Sequence, residues 1–210
     1  MRSRLIFALA VPFLSGCISL IPDAGELPPR IALAVPLENG DAQAPRFDAT
    51  LIVADPEAAS VFNTSKVAVA TAPYAFAYLE DAEWTDRAPI LWRRYLQQRL
   101  EGENLFVAVS DLAQMPLADY LLYTDIRGFH IDRTEATPRV RITVNARLAA
   151  ARGVTLGTRT IRTTVPLQGS GQGPTALALN NAASSATDEL AAWVEELVAA
   201  REASSEVADD

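Results

Sequence analysis

The 210-residue sequence contains one cysteine and one histidine, so it has few of the side chains that most metal sites and catalytic triads use. Cys17 alone cannot form a disulfide within the chain, and zinc sites rich in cysteine or histidine are excluded. A Ser-His-Asp triad would have to use His130, and no G-x-S-x-G motif accompanies it. We therefore expect no catalytic residue and no metal.

Basic residues are also too few and too dispersed for a nucleic-acid-binding protein. The sequence has 18 basic and 26 acidic side chains, which gives a formal net charge of −8. Binding to nucleic acid needs a patch of Lys and Arg that neutralises phosphates. Half of the residues are hydrophobic and 21% are charged, as in folded globular proteins. The length fits one ordinary domain.

The N-terminus has the pattern of an export signal. Arg2 and Arg4 precede ten largely apolar residues, 5–14, about half of the ~20 that span a bilayer. The segment Leu14-Ser15-Gly16-Cys17 then resembles the bacterial lipobox, in which the cysteine receives diacylglycerol and signal peptidase II cuts before it. We predict a signal peptide over residues 1–16, and diacylglycerol and N-acyl (palmitate) chains on Cys17. An ordinary signal peptide with an incidental cysteine, or a buried N-terminal helix, is the alternative.

The residue after the cysteine indicates the membrane. In the Gram-negative lipoprotein pattern an Asp at this position favours retention in the inner membrane, whereas this sequence has Ile18. We therefore predict the outer membrane, facing the periplasm. Residues 17–30 contain three prolines and are expected to form an extended, lipidated tether.

Residues 31–200 are predicted to form a single α+β (α/β) domain, followed by a disordered acidic tail over 201–210. Apolar residues alternate with Arg, Thr and Asn over 139–148, as in a strand with one buried face, and 154–165 is its hairpin partner. Residues 31–35, 50–53, 105–109 and 120–131 also have strand character, and 67–79 fits two strands or one bent strand around Pro73. Helices are expected from about 89 to Gly102 and from about 175 to 200. The resulting architecture is a mixed, mostly antiparallel sheet with two main helices packed on one face.

Two clusters of polar or glycine residues are interpreted as loops and not as ligand sites. Four carboxylates lie within seven residues but fit no EF-hand loop, so they favour a solvated loop that ends at a helix cap. A G-x-G-x-G run before the second helix lacks the Lys-Ser/Thr of a phosphate-binding loop and favours a flexible linker. The four carboxylates are Glu80, Asp81, Glu83 and Asp86, and the three glycines are Gly169, Gly171 and Gly173.

Five aromatic residues surround the start of the first helix. In a regular strand Tyr74, Phe76 and Tyr78 share one side, while Trp84 and Trp92 flank the helix start. Aromatic side chains suit a partner interface or an apolar ligand groove, and we predict such a site here. The alternative is that they fill the seam between the first helix and the sheet.

The same region carries a family resemblance. Tyr78 is followed by Ala82-x-Trp84, then by Asp86-x-x-Pro89 and the Leu-rich helix that begins near Leu91. Behind a lipobox, this order resembles the ABC-type transport auxiliary lipoprotein family, which includes the lipoproteins of MCE and paraquat-inducible-type lipid transport systems. The order of the later strands and the final Ala-rich helix is similar as well.

The resemblance implies a non-enzymatic accessory of an envelope transporter. Such a protein would dock to an MCE-domain protein and to the ABC permease and ATPase of the same system, with self-association left open. Its only cofactor would be the covalent lipid on Cys17. A stand-alone periplasmic lipid- or ligand-binding lipoprotein is the alternative, and it requires an apolar cavity. A lipoprotein hydrolase that uses His130 is a weaker one.

Overall fold

A computed structural model describes residues 29–35 and 44–209 of the chain. The predicted signal peptide, Cys17 and most of the tether lie outside these residues. The strands are β1 Arg30–Ile31, β2 Phe47–Val53, β3 Glu57–Ala58, β4 Lys66–Ala72, β5 Ala75–Trp84, β6 Phe106–Ser110, β7 Tyr120–Asp132, β8 Arg139–Ala150 and β9 Thr155–Pro166. The helices are α1 Ala88–Gly102 and α2 Gln172–Asp209.

Strand β7 is the centre of one mixed sheet. One of its edges pairs with β8 along nearly its whole length, and β8 pairs with β9, all antiparallel. Its other edge pairs in parallel with β2, β3 and β4 in succession. Outside them β6 is parallel to β2, β5 is antiparallel to β4, and β1 is parallel to the end of β5. The longest ladders are antiparallel and the shorter ones parallel, which confirms the predicted fold class.

The alternation over 139–148 is confirmed as the two faces of β8. Val140, Ile142 and Val144 are completely buried, whereas Arg141 and Thr143 between them are half-exposed. Both helices pack on the buried face and leave the other face uncovered. Helix α2 lies close to β9: a Cβ atom added at Gly157 would stand 2.8 Å from Leu197 Cδ1.

Helix α1 begins after Arg87 without a side-chain cap. Pro89 occupies its first turn, where a missing N–H costs nothing, and the Ala88 N–H donates to the carbonyl of Thr64. Its predicted apolar stripe is buried against the sheet: Leu91, Trp92, Tyr95, Leu96 and Leu100. Arg99 then donates to Asp188 of α2 over 2.7 Å, which links the two helices.

Three segments differ from their predictions. Helix α2 continues to Asp209, so the acidic segment from 201 is helical rather than a disordered tail. Its Ala and Glu residues are strong helix formers, and extending an existing helix adds one hydrogen bond for each residue fixed. Of the first predicted strand, 31–35, only Ile31 is paired, as part of β1. Glu80, Asp81 and Glu83 belong to strand β5 rather than to a loop.

Candidate docking surface at the β4–β5 hairpin

Strands β4 and β5 form a hairpin, as one of the two interpretations of residues 67–79 predicts. The turn is made by Pro73 and Tyr74, and the Tyr74 side chain is fully exposed. The φ angle of Tyr74 is 64°, in the left-handed region that bulky residues rarely adopt. A large aromatic side chain is therefore held at the hairpin tip against the local backbone preference.

A cluster of three rings lies on the face of the sheet that the helices do not cover. Phe76 of β5 contacts His130 of β7 edge to face, with ring centroids 5.2 Å apart. Phe62, in the turn before β4, stacks on His130 at 5.9 Å and meets Phe76 at 5.6 Å. The intervening strand β4 presents Ala68 and Ala70 here, and their small side chains leave room for the rings to touch. Phe62 was not predicted, because its turn has no strand periodicity.

The outer edge of β5 is largely unpaired. β1 covers it at Glu83 and Trp84, and no other described residue forms a strand beside 75–82. Phe76 and Tyr78 are 44% and 39% exposed on this strand. We call the exposed Tyr74, Phe76 and Tyr78, together with the unpaired edge over 75–82, the β5 surface.

A groove of about 520 Å³ lies on the opposite face of the hairpin. Its floor is aliphatic, and two carboxylates and one guanidinium stand at its rim. The lining side chains are Val69, Thr71, Ala77, Leu79, Glu80, Asp81 and Arg133, with Tyr78 contributing as well. Within the described residues, neither Glu80 nor Asp81 has a cationic group within salt-bridge distance. The β5 surface therefore has a negative end.

Trp84 and Trp92 are not part of this surface. They are 1% and 0% exposed, and their rings lie 5.0 and 6.4 Å from that of Phe129. Both fill the seam between α1 and the sheet, as the alternative interpretation holds. The five predicted aromatic residues therefore divide: three are at the surface and two are in the core.

His130 has a packing environment rather than a triad. In the described part of the chain no hydroxyl is hydrogen-bonded to it, and its buried Nδ1 has no partner. The nearby Asp132 accepts hydrogen bonds from Thr134 and Arg141 instead. Burial between the rings lowers the pKa of His130, a shift that Asp132 opposes and Arg141 reinforces. Within the described ranges, no three His, Cys, Asp or Glu side chains are grouped as a metal site would need.

This lowered pKa predicts a pH dependence of stability. The unfolded chain binds a proton at His130 near pH 6.5, while the folded chain resists it, so the stabilisation is present above that pH and is lost as pH falls. We expect the free energy of unfolding to decrease between pH 7.5 and 5.5, by at most about 1.4 kcal/mol for each pH unit. Urea denaturation of the wild type and of His130→Phe, which retains a ring, measures the effect.

The variant should show a flatter pH profile over this window. Asp111, Asp119 and Asp132 also have lowered pKa values, caused by hydrogen bonds to their carboxylates, but they lose their stabilising contribution only near pH 4 and below. Equal slopes for the wild type and His130→Phe between pH 7.5 and 5.5 would contradict the prediction.

Residues 32–191 match the family model described as "ABC-type transport auxiliary lipoprotein component". No curated protein is significantly similar to the chain in sequence. Among solved structures, protein XCC0632 from Xanthomonas campestris, of family DUF330, shares 22% identity over 83% of this chain and 95% of its own, with a TM-score of 0.70. The hypothetical protein CT253 from Chlamydia trachomatis shares 10% identity over 73% and 99%, with a TM-score of 0.53. These two likenesses show a shared fold.

Within residues 29–35 and 44–209, no helix is both long enough and apolar enough to cross a bilayer.

Proposed function

Because the chain belongs to the ABC-type transport auxiliary lipoprotein family, we propose that it is the lipid-anchored, non-catalytic accessory of an MCE-linked envelope transport system. The family is a lipoprotein component of ABC transport, which associates the chain with the cell envelope. In the proposal, acyl chains on Cys17 hold the domain at the periplasmic face of the outer membrane. The absence of Asp after that cysteine supports the outer membrane over the inner one.

The β5 surface is the observation that supports docking. Tyr74, Phe76 and Tyr78 project from a hairpin that extends beyond the helix-covered part of the sheet. Exposed aromatic side chains on a stable scaffold are typical of the centres of protein interfaces. We propose that they contact the MCE-domain protein or the permease of the same transport system.

The interior supports docking better than storage of a ligand. A stand-alone lipid-binding lipoprotein would need an apolar cavity between helices and sheet. That space holds Trp84, Trp92 and Phe129, each 2% exposed or less, with both tryptophan rings against that of Phe129. The groove on the opposite face of the β4–β5 hairpin is open and lies at the surface.

Co-purification from detergent-solubilised membranes tests the proposal. The wild-type chain is expected to recover the MCE-domain protein and the permease. A triple variant, Tyr74→Ser, Phe76→Ser and Tyr78→Ser, should lose most of this recovery, since hot-spot aromatics contribute about 2 kcal/mol or more each. The matched control replaces two apolar residues that are exposed elsewhere, Leu117→Ser and Val154→Ser, and should behave as the wild type. Failure of the wild type to recover either subunit would overturn the proposal.

Tyr74 should show opposite effects on stability and docking. Glycine adopts the left-handed region without a steric penalty, so Tyr74→Gly is expected to change the free energy of unfolding by about +0.5 to +1 kcal/mol, in the stabilising direction. The same variant removes the most exposed ring of the β5 surface and should recover less of the partner subunits. Thermal denaturation and co-purification measure the two effects, and Leu117→Gly is the control for loss of an exposed apolar side chain. A variant that is less stable, or that docks as the wild type does, would contradict the prediction.

A further inference from the structure

We propose that the β5 surface receives an extended segment of the MCE-domain protein, the transporter's periplasmic subunit, as an added β-strand. This inference rests on the proposed docking function and specifies its geometry. Main-chain hydrogen bonds to the edge of β5 would supply affinity, and side chains on the two faces of the hairpin would supply specificity.

The backbone of β5 has an unprotected edge. Strands β5, β6 and β9 each have an edge without a partner strand among the described residues. Natural sheets protect such edges with charged side chains, proline or short length. β9 carries Arg159, Arg162 and Pro166, and the exposed side chains of β6, Val107 and Ala108, are small and include no ring. β5 has neither charge nor proline from 75 to 79, so its edge is open to pairing.

Geometry limits the added strand to the outer half of β5. The pairing register shifts between Tyr78 and Glu83: a five-residue step in β5 corresponds to a two-residue step in β4. Such a bulge bends the strand and interrupts regular pairing. β1 then covers the edge at Glu83. The segment would therefore pair with residues 75–79, which have space for about five residues, or ~17 Å of extended chain.

The side chains define the chemistry of the occupant. On one face Phe76 and Tyr78 are exposed, and the contact of Phe76 with Phe62 and His130 keeps its ring in place. Apolar side chains of an added strand would pack on them as cross-strand neighbours. Beyond the paired region, Glu80 and Asp81 are exposed, and no described cation lies within salt-bridge distance of either, although Arg133 lines the same groove. The segment should therefore carry apolar residues along 75–79 and a Lys or Arg that reaches these carboxylates.

Site-specific photocrosslinking in cells tests this arrangement. Benzoylphenylalanine is placed singly at Ala75, Phe76, Ala77, Tyr78 and Leu79 of the full acylated chain, produced with its transporter, and crosslinked peptides are identified by mass spectrometry. All positions should capture one stretch of the periplasmic subunit. A move of two positions in β5 should move the captured partner residue by about two, because paired strands advance together. The same probe at Leu117 is the control and should capture none of that stretch.

Amide hydrogen exchange measures the backbone contribution. In the purified complex, amides of residues 75–79 that point away from β4 should exchange at least about tenfold more slowly than in the free chain, because they become donors to a strand. Docking through side chains alone would leave these amides unprotected. The double variant Glu80→Gln and Asp81→Asn should lower crosslinking to the same stretch by about two- to fivefold, as expected for loss of exposed ion pairs.

The outcomes separate this inference from the proposed function. If the subunits co-purify but the β5 positions capture scattered residues, a second copy of this chain or the chain's own residues 18–29, docking stands and strand addition is overturned. Unprotected amides over 75–79 in the complex would overturn strand addition as well. If the wild-type chain recovers no transporter subunit, the proposed function itself fails. A ladder of crosslinks to one basic, apolar stretch would support both.

Discussion

Replacing Trp92 with alanine is expected to lower the free energy of unfolding by about 3–5 kcal/mol. The side chain is 0% exposed, and its ring meets that of Phe129 edge to face. Among the residues that the structure describes, its buried Nε1 has no hydrogen-bond partner, so the variant breaks no hydrogen bond there and the loss comes from packing. Removing an indole leaves a cavity between α1 and the sheet that backbone shifts fill only in part. Urea denaturation followed by circular dichroism measures the effect.

Tyr74→Ala is the matched control, because Tyr74 and Trp92 both belong to the five aromatic residues that the sequence places around the start of the first helix. Tyr74 is fully exposed, so the alanine variant should stay within about 0.5 kcal/mol of the wild type. Recovery of the transporter subunits by co-purification should rank the two folded variants in the reverse order, with Tyr74→Ala recovering less than Trp92→Ala. A Trp92→Ala variant that loses less than about 1 kcal/mol would contradict the assignment of this tryptophan to the core.

The division of these aromatic residues shows what sequence patterns can predict. Regular alternation over 139–148 predicts the buried and exposed sides of β8, because side chains on a strand change face at every residue. The spacing of Leu91, Tyr95 and Leu96 likewise predicts the buried stripe of α1. In both cases local periodicity is enough, since the whole element contacts one core.

The β5 surface could be predicted only in part, because it depends on where other elements end. Phe76 and Trp84 lie on the same strand, but β1 and α1 cover the tryptophan and leave the phenylalanine open. The contact of Phe62 with His130 joins residues 68 positions apart, through a parallel pairing of β4 with β7 that no local pattern encodes. The bulge after Tyr78 similarly appears only when β4 and β1 are in register with β5.

The predictions for the two charged segments are wrong for a related reason. Composition predicts a solvated loop at Glu80 and Asp81 and a disordered tail from 201, since both segments are polar. An edge strand, however, needs no buried face to pair with its neighbour, and a helix that is already anchored by buried residues such as Val198 extends readily. Polar composition therefore indicates exposure in this chain, and not absence of regular structure.

Replacing Cys17 with serine, in a chain whose residues 1–16 are exchanged for a signal peptide that signal peptidase I removes, is expected to move the protein from the membrane fraction to the soluble fraction of the cell envelope. The sequence places Cys17 at the lipobox, and the chain belongs to a lipoprotein family. Each buried methylene of an acyl chain contributes about 0.8 kcal/mol, so two or three chains make release from a bilayer negligible, whereas serine receives no thioether-linked lipid. Fractionation of the envelope measures the change, and intact mass shows whether diacylglycerol is attached to the wild type.

Ile18→Asp is the matched control because it retains the cysteine and changes the residue next to it. It should remain acylated and membrane-bound but move from the outer to the inner membrane on a density gradient. A Cys17→Ser chain that stays in the membrane fraction, or a wild-type chain without added acyl mass, would contradict lipid anchoring. A wild-type chain that already sediments with the inner membrane would contradict the predicted location.

The anchor also predicts how docking depends on concentration. Residues between Cys17 and Arg30 can extend at most about 40 Å, so an anchored domain stays within a thin layer at the membrane surface. Confinement raises the effective concentration of the β5 surface near a membrane-bound partner, whereas a released chain dilutes into the whole periplasm. The Cys17→Ser chain should therefore bind the purified periplasmic subunit with unchanged affinity in solution but recover little of it from cells. Loss of affinity in solution would instead assign Cys17 a direct part in the interface.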